Sequence, residues 1–273
     1  MKYGFIGCGN MGGALARCVA KEAGKKGGGD EILLNNKTAS KAEALAKEIS
    51  ADCTANCTDI RTLAKTSDYI FLGVKPQFME DMLEEIEDVL AERRERFVLV
   101  SMAAGLSTDK ILKMAGVPKC PIIRIMPNLA VSAGEGMTLY CSKNCSEEET
   151  AAFLEIMNCS GKLAQLPENL IDAGSAVSGC GPAFVFMFIE ALADGGVACG
   201  LPRDRAQLLA AQTLLGSAKL LLESGKHPGQ LKDNVCSPAG TTIEGVLALE
   251  NGGFRSLAQD AVIAAYNRTL ELK

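Results

Sequence analysis

The sequence predicts an α/β half built on a parallel sheet, followed by an all-helical half. Three observations predict it. Short apolar runs alternate with amphipathic stretches through the first half of the chain. A glycine-rich turn, Gly7-Cys8-Gly9-Asn10-Met11-Gly12, joins the first apolar run to the first helical pattern. From about Pro167, strand signals give way to long Ala- and Leu-rich helical patterns. Two domains follow, 1–166 and 167–273, a division consistent with 273 residues.

The expected strands are Tyr3 to Ile6, Glu31 to Leu34, Tyr69 to Val74, Phe97 to Ser101 and Ile122 to Ile125. Between them, Met11 to Ala23, Ser40 to Ile49, Pro76 to Leu90 and Thr108 to Met114 read as helices, so the strands need crossovers and run parallel. Lys25-Lys26-Gly27-Gly28-Gly29-Asp30 reads as a surface turn between the first helix and the second strand. In the second half the helical patterns are Ile171 to Ser178, Pro182 to Cys199, Arg203 to Ser224, Ser237 to Glu250 and Gly252 to Leu272. Pro182 and Pro202 suit first-turn positions, and Gly200 and Gly225 suit helix ends. The Arg203 to Leu222 stretch is apolar on more than one face, through Leu208, Leu209, Leu214 and Leu215 among others. Such a helix must be covered on several sides, which predicts subunit pairing through this half.

A net charge of −5 without a Lys/Arg block disfavours nucleic acid and anionic membranes as partners and favours a small molecule. Eleven Cys without a CxxC, and one His, His227, remove the usual zinc and dithiol patterns. Cys53/Cys57 and Cys141/Cys145 lack further ligands nearby, so no metal is expected. Met1 to Ile6 runs into glycines without a leader pattern, which predicts reduced thiols and a cytoplasmic location. No apolar run approaches a membrane span, since Ala183 to Ala193 is interrupted by Glu190.

The glycine turn has the strand-before, helix-after context of a Rossmann-like dinucleotide-binding loop. Glycine permits the tight turn and the close approach of backbone to a pyrophosphate at the helix N-terminus. At the end of the second strand the chain reads Asn35-Asn36-Lys37-Thr38. A carboxylate there would hold the ribose hydroxyl of NAD; two neutral amides and a cation instead favour the 2′-phosphate of NADP(H), with NAD(H) the alternative cofactor. Lys37 as a solvated surface charge is the other reading.

Loops at the carboxyl ends of parallel strands face the ligand crevice. They are Gly73-Val74-Lys75-Pro76, Met102-Ala103-Ala104-Gly105 and Arg124-Ile125-Met126-Pro127-Asn128. The small residues of the second leave room for a nicotinamide ring. Lys75 and Arg124 each read either as ligand contacts or as structural cations. Ser178-Gly179-Cys180-Gly181-Pro182 reads either as a ligand-facing turn or as close helix packing. Ser237-Pro238-Ala239-Gly240-Thr241-Thr242 precedes a helix and offers open N–H groups and hydroxyls, a site for a carboxylate, with a simple N-cap as the alternative. His227, before Pro228 in a turn, reads as structural or solvent-facing.

On these residues the chain resembles the pyrroline-5-carboxylate reductase family along its whole length. The resemblance is carried by Phe5-Ile6-Gly7-Cys8-Gly9-Asn10-Met11-Gly12, Val74-Lys75-Pro76, Arg124-Ile125-Met126-Pro127-Asn128, Ser178-Gly179-Cys180-Gly181-Pro182 and, most specifically, the run from His227 to Ile243. It implies hydride transfer from NAD(P)H to the ring imine of 1-pyrroline-5-carboxylate, giving L-proline in the final step of proline biosynthesis. Motif by motif, it implies that Thr242 bonds the imine nitrogen while Ser237, Thr241 and amides nearby, that of Gly240 among them, hold the carboxylate. It places Ile6 to Gly12, Asn35, Asn36, Lys37, Asn56, Gly73, Val74, Lys75, Pro76, Met102, Ala103, Ala104 and Asn234 at the cofactor. It further implies homodimers that assemble into decamers. Three residues depart from the family pattern: Cys180 stands for Ser, Leu129 for Thr and Ala239 for Gly. Ala239 restricts the backbone if its φ is positive.

The residues agree with an imine substrate. Alcohol oxidation or ketone reduction requires a positioned acid or base, and this chain has one His, four Tyr and no TyrxxxLys pair. A protonated imine already carries its proton and needs orientation above all. Two rival readings are weaker. A β-hydroxyacid dehydrogenase would need a Lys on the Pro182 to Cys199 helix, which has none. A non-catalytic NADP sensor would carry a degraded second site, and Ser237 to Thr242 is intact.

Overall fold

A computed structural model describes residues 1–25, 27 and 29–271. The expected turn at Lys25–Asp30 and the end of the last expected helix therefore fall in part outside the described residues. Packing divides the chain into two units. One runs from Met1 to Gly179 and takes in the chain from Tyr266 onward; the other is Cys180–Ala265.

The first unit alternates strand and helix as the sequence predicts. Its elements are β1 (Lys2–Ile6), α1 (Asn10–Lys25), β2 (Glu31–Asn35), α2 (Ala39–Ile49), β3 (Thr54–Cys57), α3 (Ile60–Thr66), β4 (Tyr69–Leu72), α4 (Met79–Glu84) and α5 (Glu87–Glu92). They continue with β5 (Val98–Ser101), α6 (Thr108–Met114), β6 (Ile122–Met126), β7 (Gly136–Lys143), α7 (Glu147–Ile156), β8 (Gly161–Gln165) and α8 (Ile171–Ser178). Among the described residues the strands form one sheet in the order β3-β2-β1-β4-β5-β6-β7-β8. Neighbours are parallel except β6 and β7.

Helices cover both faces, so β4 and β5 are buried throughout and read as unbroken apolar runs. Tyr3 and Phe5 stack on Tyr69 and Phe71 on the face that α1 and α2 cover, with the Phe rings 4.3 Å apart. Ile6, Ile70 and Leu72 pack on the opposite face with Leu63, Met79 and Leu83. The sheet order reverses direction between β1 and β4, which puts their carboxyl ends at the switch point where α/β sheets bind ligands.

Three strands lie beyond the expected set. β3 is a short, largely exposed edge strand with little apolar sequence. β7 and β8 extend the sheet where β7 turns back antiparallel to β6. The expected Pro76 to Leu90 helix divides into a short turn, α4 and α5, with the break at Ile86, whose φ/ψ of −122° and 0° leave the helical region.

Arg124, on β6, is structural. Its guanidinium lies 2.8 Å from Asp172 on α8 and 3.7 Å from Glu168, and Glu168 in turn accepts bonds from the N–H and hydroxyl of Thr108. Asn128 belongs to the same support: its amide donates to the Ser178 carbonyl, and its oxygen accepts from the N–H groups of Ala130 and Met137.

The second unit contains α9 (Gly181–Ala198), α10 (Arg203–Ser224), α11 (Pro228–Val235), α12 (Thr241–Asn251) and α13 (Phe254–Glu271) up to Ala265. Gly200 and Gly225 end α9 and α10 with φ of +99° and +62°, as expected of helix-terminating glycines. α9 and α10 pack through small residues, Ala193 against Ala206 and Ala210. Elsewhere large apolar side chains face outward, among them Phe186, Met187, Leu208, Leu209, Leu215 and Leu222. The stretch Glu168–Ala198 is also long and apolar enough, by length and composition, to match a membrane span. That corrects the expectation from Glu190: between Asp172 and Asp194 it is the one charged residue, too few to lower the apolar content of that stretch. A helix-terminal turn at Gly179 and Cys180 breaks the run into α8 and α9.

Candidate functional site

The nucleotide loop is built by backbone contacts that exclude side chains. Gly7 has φ of +97°, and its N–H bonds the Asn35 carbonyl at 2.8 Å. A Cβ on Gly12 would come within 2.1 Å of the Gly7 oxygen, and one on Gly73 within 2.4 Å of the same atom. The three glycines therefore let the start of α1, the end of β1 and the end of β4 meet. Gly9 faces open space, and no acceptor among the described residues takes the N–H groups of Asn10, Met11 and Gly12. This cradle fits a pyrophosphate: free donors at a helix N-terminus, beside room that a side chain at Gly9 would reduce.

Two residues of the loop are tied into the protein itself. The Ile6 side chain is core, and its carbonyl accepts from Gly73 N–H. The Cys8 N–H is spent on Asn36 Oδ1 at 3.0 Å, and burial, with Cys57 nearby, pushes its thiol up to about 11.

Asn35 and Asn36 shape the turn after β2. Asn35 Nδ2 donates to the Thr58 carbonyl, and Asn36 Nδ2 to that of Thr38. The Lys37 ammonium rests over the exposed Phe78 ring, 6.0 Å from its centroid. Asn56 is held away from the carboxyl ends: its amide donates to Glu31 at the start of β2. The residue that ends β3 is Cys57, opposite Leu34. Nothing in the sequence around β3 marks its end, because the strand itself is hard to see.

Lys75 stands in the loop after β4, exposed and without an acidic partner among the described residues. Val74 and Met102 are partly buried against the core, Ala103 is fully in it, and Ala104 is exposed. Pro76 begins the turn that carries Phe78.

In the helical unit, α11 and α12 bracket the loop Cys236 to Gly240. His227 caps α11, its Nδ1 accepting from Gly229 N–H at 3.1 Å, which settles it as structural. Gly240 is the residue before α12 and supplies no side-chain cap, so the simple N-cap reading fails. Ser237 Oγ lies where a Gly240 Cβ would be, 2.3 Å from it, and the Gly240 N–H closes a turn on the Ser237 carbonyl. Ala239 has φ of +55°, the left-handed region that favours glycine. The hydroxyls of Ser237, Thr241 and Thr242 and the amide of Asn234 are exposed without partners among the described residues. Cys180 precedes α9 without capping it, and Leu129 is exposed in the turn after β6.

A family model described as pyrroline-5-carboxylate reductase dimerisation matches residues 168–272, and one described as NADP oxidoreductase, coenzyme F420-dependent, matches residues 2–105. Pyrroline-5-carboxylate reductase of Synechocystis is 42% identical over 274 residues, covering 100% of this chain and 98% of its own. The chain belongs to the pyrroline-5-carboxylate reductase family. Among solved structures, a pyrroline-5-carboxylate reductase of Coxiella burnetii aligns with a TM-score of 0.86 at 31% identity, covering 99% of this chain and 98% of that one. A Plasmodium falciparum pyrroline carboxylate reductase with NADP bound aligns at 0.80 and 32%, covering 98% and 97%. The first half of this reductase-family chain is thus an NADP oxidoreductase domain, and the second half is a homo-oligomerising one.

Proposed function

We propose that this protein reduces 1-pyrroline-5-carboxylate to L-proline with NADPH, the last step of proline biosynthesis, with NADH as the secondary cofactor. The observation that carries the reading is the start of α12, where a glycine cap leaves N–H groups open beside three unspent hydroxyls. Residues 1–166 hold the cofactor and residues 167–273 the substrate and the subunit contact.

When bound, the nicotinamide supplies hydride. Gly9, Asn10, Met11 and Gly12 hold its pyrophosphate across the turn that Gly7 makes, Asn35 to Lys37 hold its adenosine end, and Lys75, Met102 and Ala104 its far end. Ser237, Thr241 and the first-turn amides bind the substrate carboxylate, a charge suited to a helix N-terminus. The Thr242 hydroxyl accepts a hydrogen bond from the N–H of the protonated imine and fixes the ring's orientation. The nitrogen keeps that proton as the amine forms, so no acid or base has to titrate during turnover.

Thr242→Ala tests the assignment. NADPH oxidation dependent on pyrroline-5-carboxylate should fall by roughly 10²-fold in kcat, the cost of losing one preorganised polar contact. NADPH affinity should hold. Loss of NADPH binding would remove Thr242 from the substrate role, and no turnover by the unaltered protein with either nucleotide would remove the reaction.

The same reading extends to dimers that assemble into decamers, checked by light scattering, and to a cytoplasmic location. Eleven cysteines without a disulfide support a reducing compartment.

A further inference from the structure

A cavity of about 300 Å³ opens beside the nucleotide loop, lined by Cys8, Gly9 and Asn10 on one side and by Arg17, Lys41 and Glu48 among others on α1 and α2. It lies wholly in the first unit. Two cations line it, and they differ in availability. Arg17 is tied to Glu48 by two bonds of 2.7 and 2.8 Å. Lys41 is exposed and has no acidic partner among the described residues. Lys37, the cation that the sequence singles out, is already engaged with the Phe78 ring.

We propose that Lys41, in the first turn of α2, is the cation that selects the 2′-phosphate of NADPH, with Lys37 secondary. The inference rests on the NADP reading above. Asn36 ties the β2–α2 turn to the loop through Cys8 N–H, and its amide fixes the Thr38 carbonyl. Lys41 N–H bonds that same carbonyl at 3.1 Å, so the turn that carries Lys41 is registered against Gly9. No carboxylate at the end of β2 competes for the phosphate: Asn35 and Asn36 stand there. A second phosphate dianion on the adenosine ribose needs an unpaired cation close to the loop, and Lys41 meets that condition where Arg17 does not.

Calorimetric titration of the full-length protein tests this, with NADPH, NADH, adenosine 2′-monophosphate and adenosine 5′-monophosphate as ligands. Lys41→Ala should weaken NADPH and the 2′-monophosphate by roughly tenfold, the loss of one charge-assisted hydrogen bond, and leave NADH and the 5′-monophosphate within about twofold. Lys41→Arg should restore the 2′-phosphate ligands, and Lys37→Ala should move them less. Equal weakening of all four ligands, or selective loss in Lys37→Ala alone, overturns the proposal. If the unaltered protein binds NADPH no better than NADH, the NADP preference fails and the role of Lys41 with it.

Discussion

The Arg124 guanidinium lies 2.8 Å from the Asp172 carboxylate, both side chains buried, and ties α8 to β6. Removing one member deprives the other buried charge of its nearest partner; without Asp172, Arg124 keeps Glu168 only at 3.7 Å. Asp172→Asn or Arg124→Ala should cost about 3–5 kcal/mol, read as a fall in Tm, whereas replacing both with apolar residues of similar volume should recover most of it.

Gly12→Ala should disable the cofactor loop. With its Cβ 2.1 Å from the Gly7 oxygen, the start of α1 has to move, at roughly 1–3 kcal/mol. Calorimetry should show NADPH affinity lost together with NADH affinity, which separates this variant from Lys41→Ala.

Ala239→Gly should stabilise the loop before α12. At φ +55° an alanine is strained by about 1–2 kcal/mol, of which glycine's greater freedom in the unfolded chain takes back up to about 1 kcal/mol. A modest rise in Tm is expected, with a lower KM for pyrroline-5-carboxylate, because the relaxed loop carries Ser237 and Gly240. An unchanged KM would separate the strain from substrate binding.

Stability should fall at alkaline pH. Burial pushes the thiols of Cys8, Cys18, Cys141 and Cys145 up to about 11, and that of Cys120, and the Tyr69 phenol, up to about 12. Above the ordinary thiol value of 9.0 the unfolded chain loses protons that the folded chain keeps, so each step up in pH favours unfolding. This contribution is intact below that value and gone once the folded thiols ionise. Tm measured from neutral pH to pH near 11 should decline across that window.

The parallel core was legible because β1, β2, β4, β5 and β6 are buried on both faces and show as apolar runs. Glycines forced by backbone proximity, Gly7, Gly12 and Gly73, were equally readable. The edge strands β3 and β8 were not, since no residue of Thr54–Cys57 or Gly161–Gln165 is fully buried and Leu163 is their one large apolar side chain. Arg124 was left open between a ligand contact and a structural cation, and the Asn56 bond to Glu31 was not foreseen, for another reason. A charged or amide side chain shows its type in sequence, but its partner, Asp172 or Glu31, is settled by packing from 48 and 25 residues away. Lys41 likewise reads in the sequence as no more than one of two lysines on an amphipathic helix.

The helical unit keeps few apolar side chains for itself: α11, α12 and α13 have no fully buried residue, and Leu208, Leu209, Leu215 and Leu222 on α10 face outward. A chain of this kind carries only part of its own interior. By mass action, diluting it works in the same direction as adding denaturant, and newly made copies remain adhesive until they find each other. How much of the protein the cell makes is then a term in whether it folds.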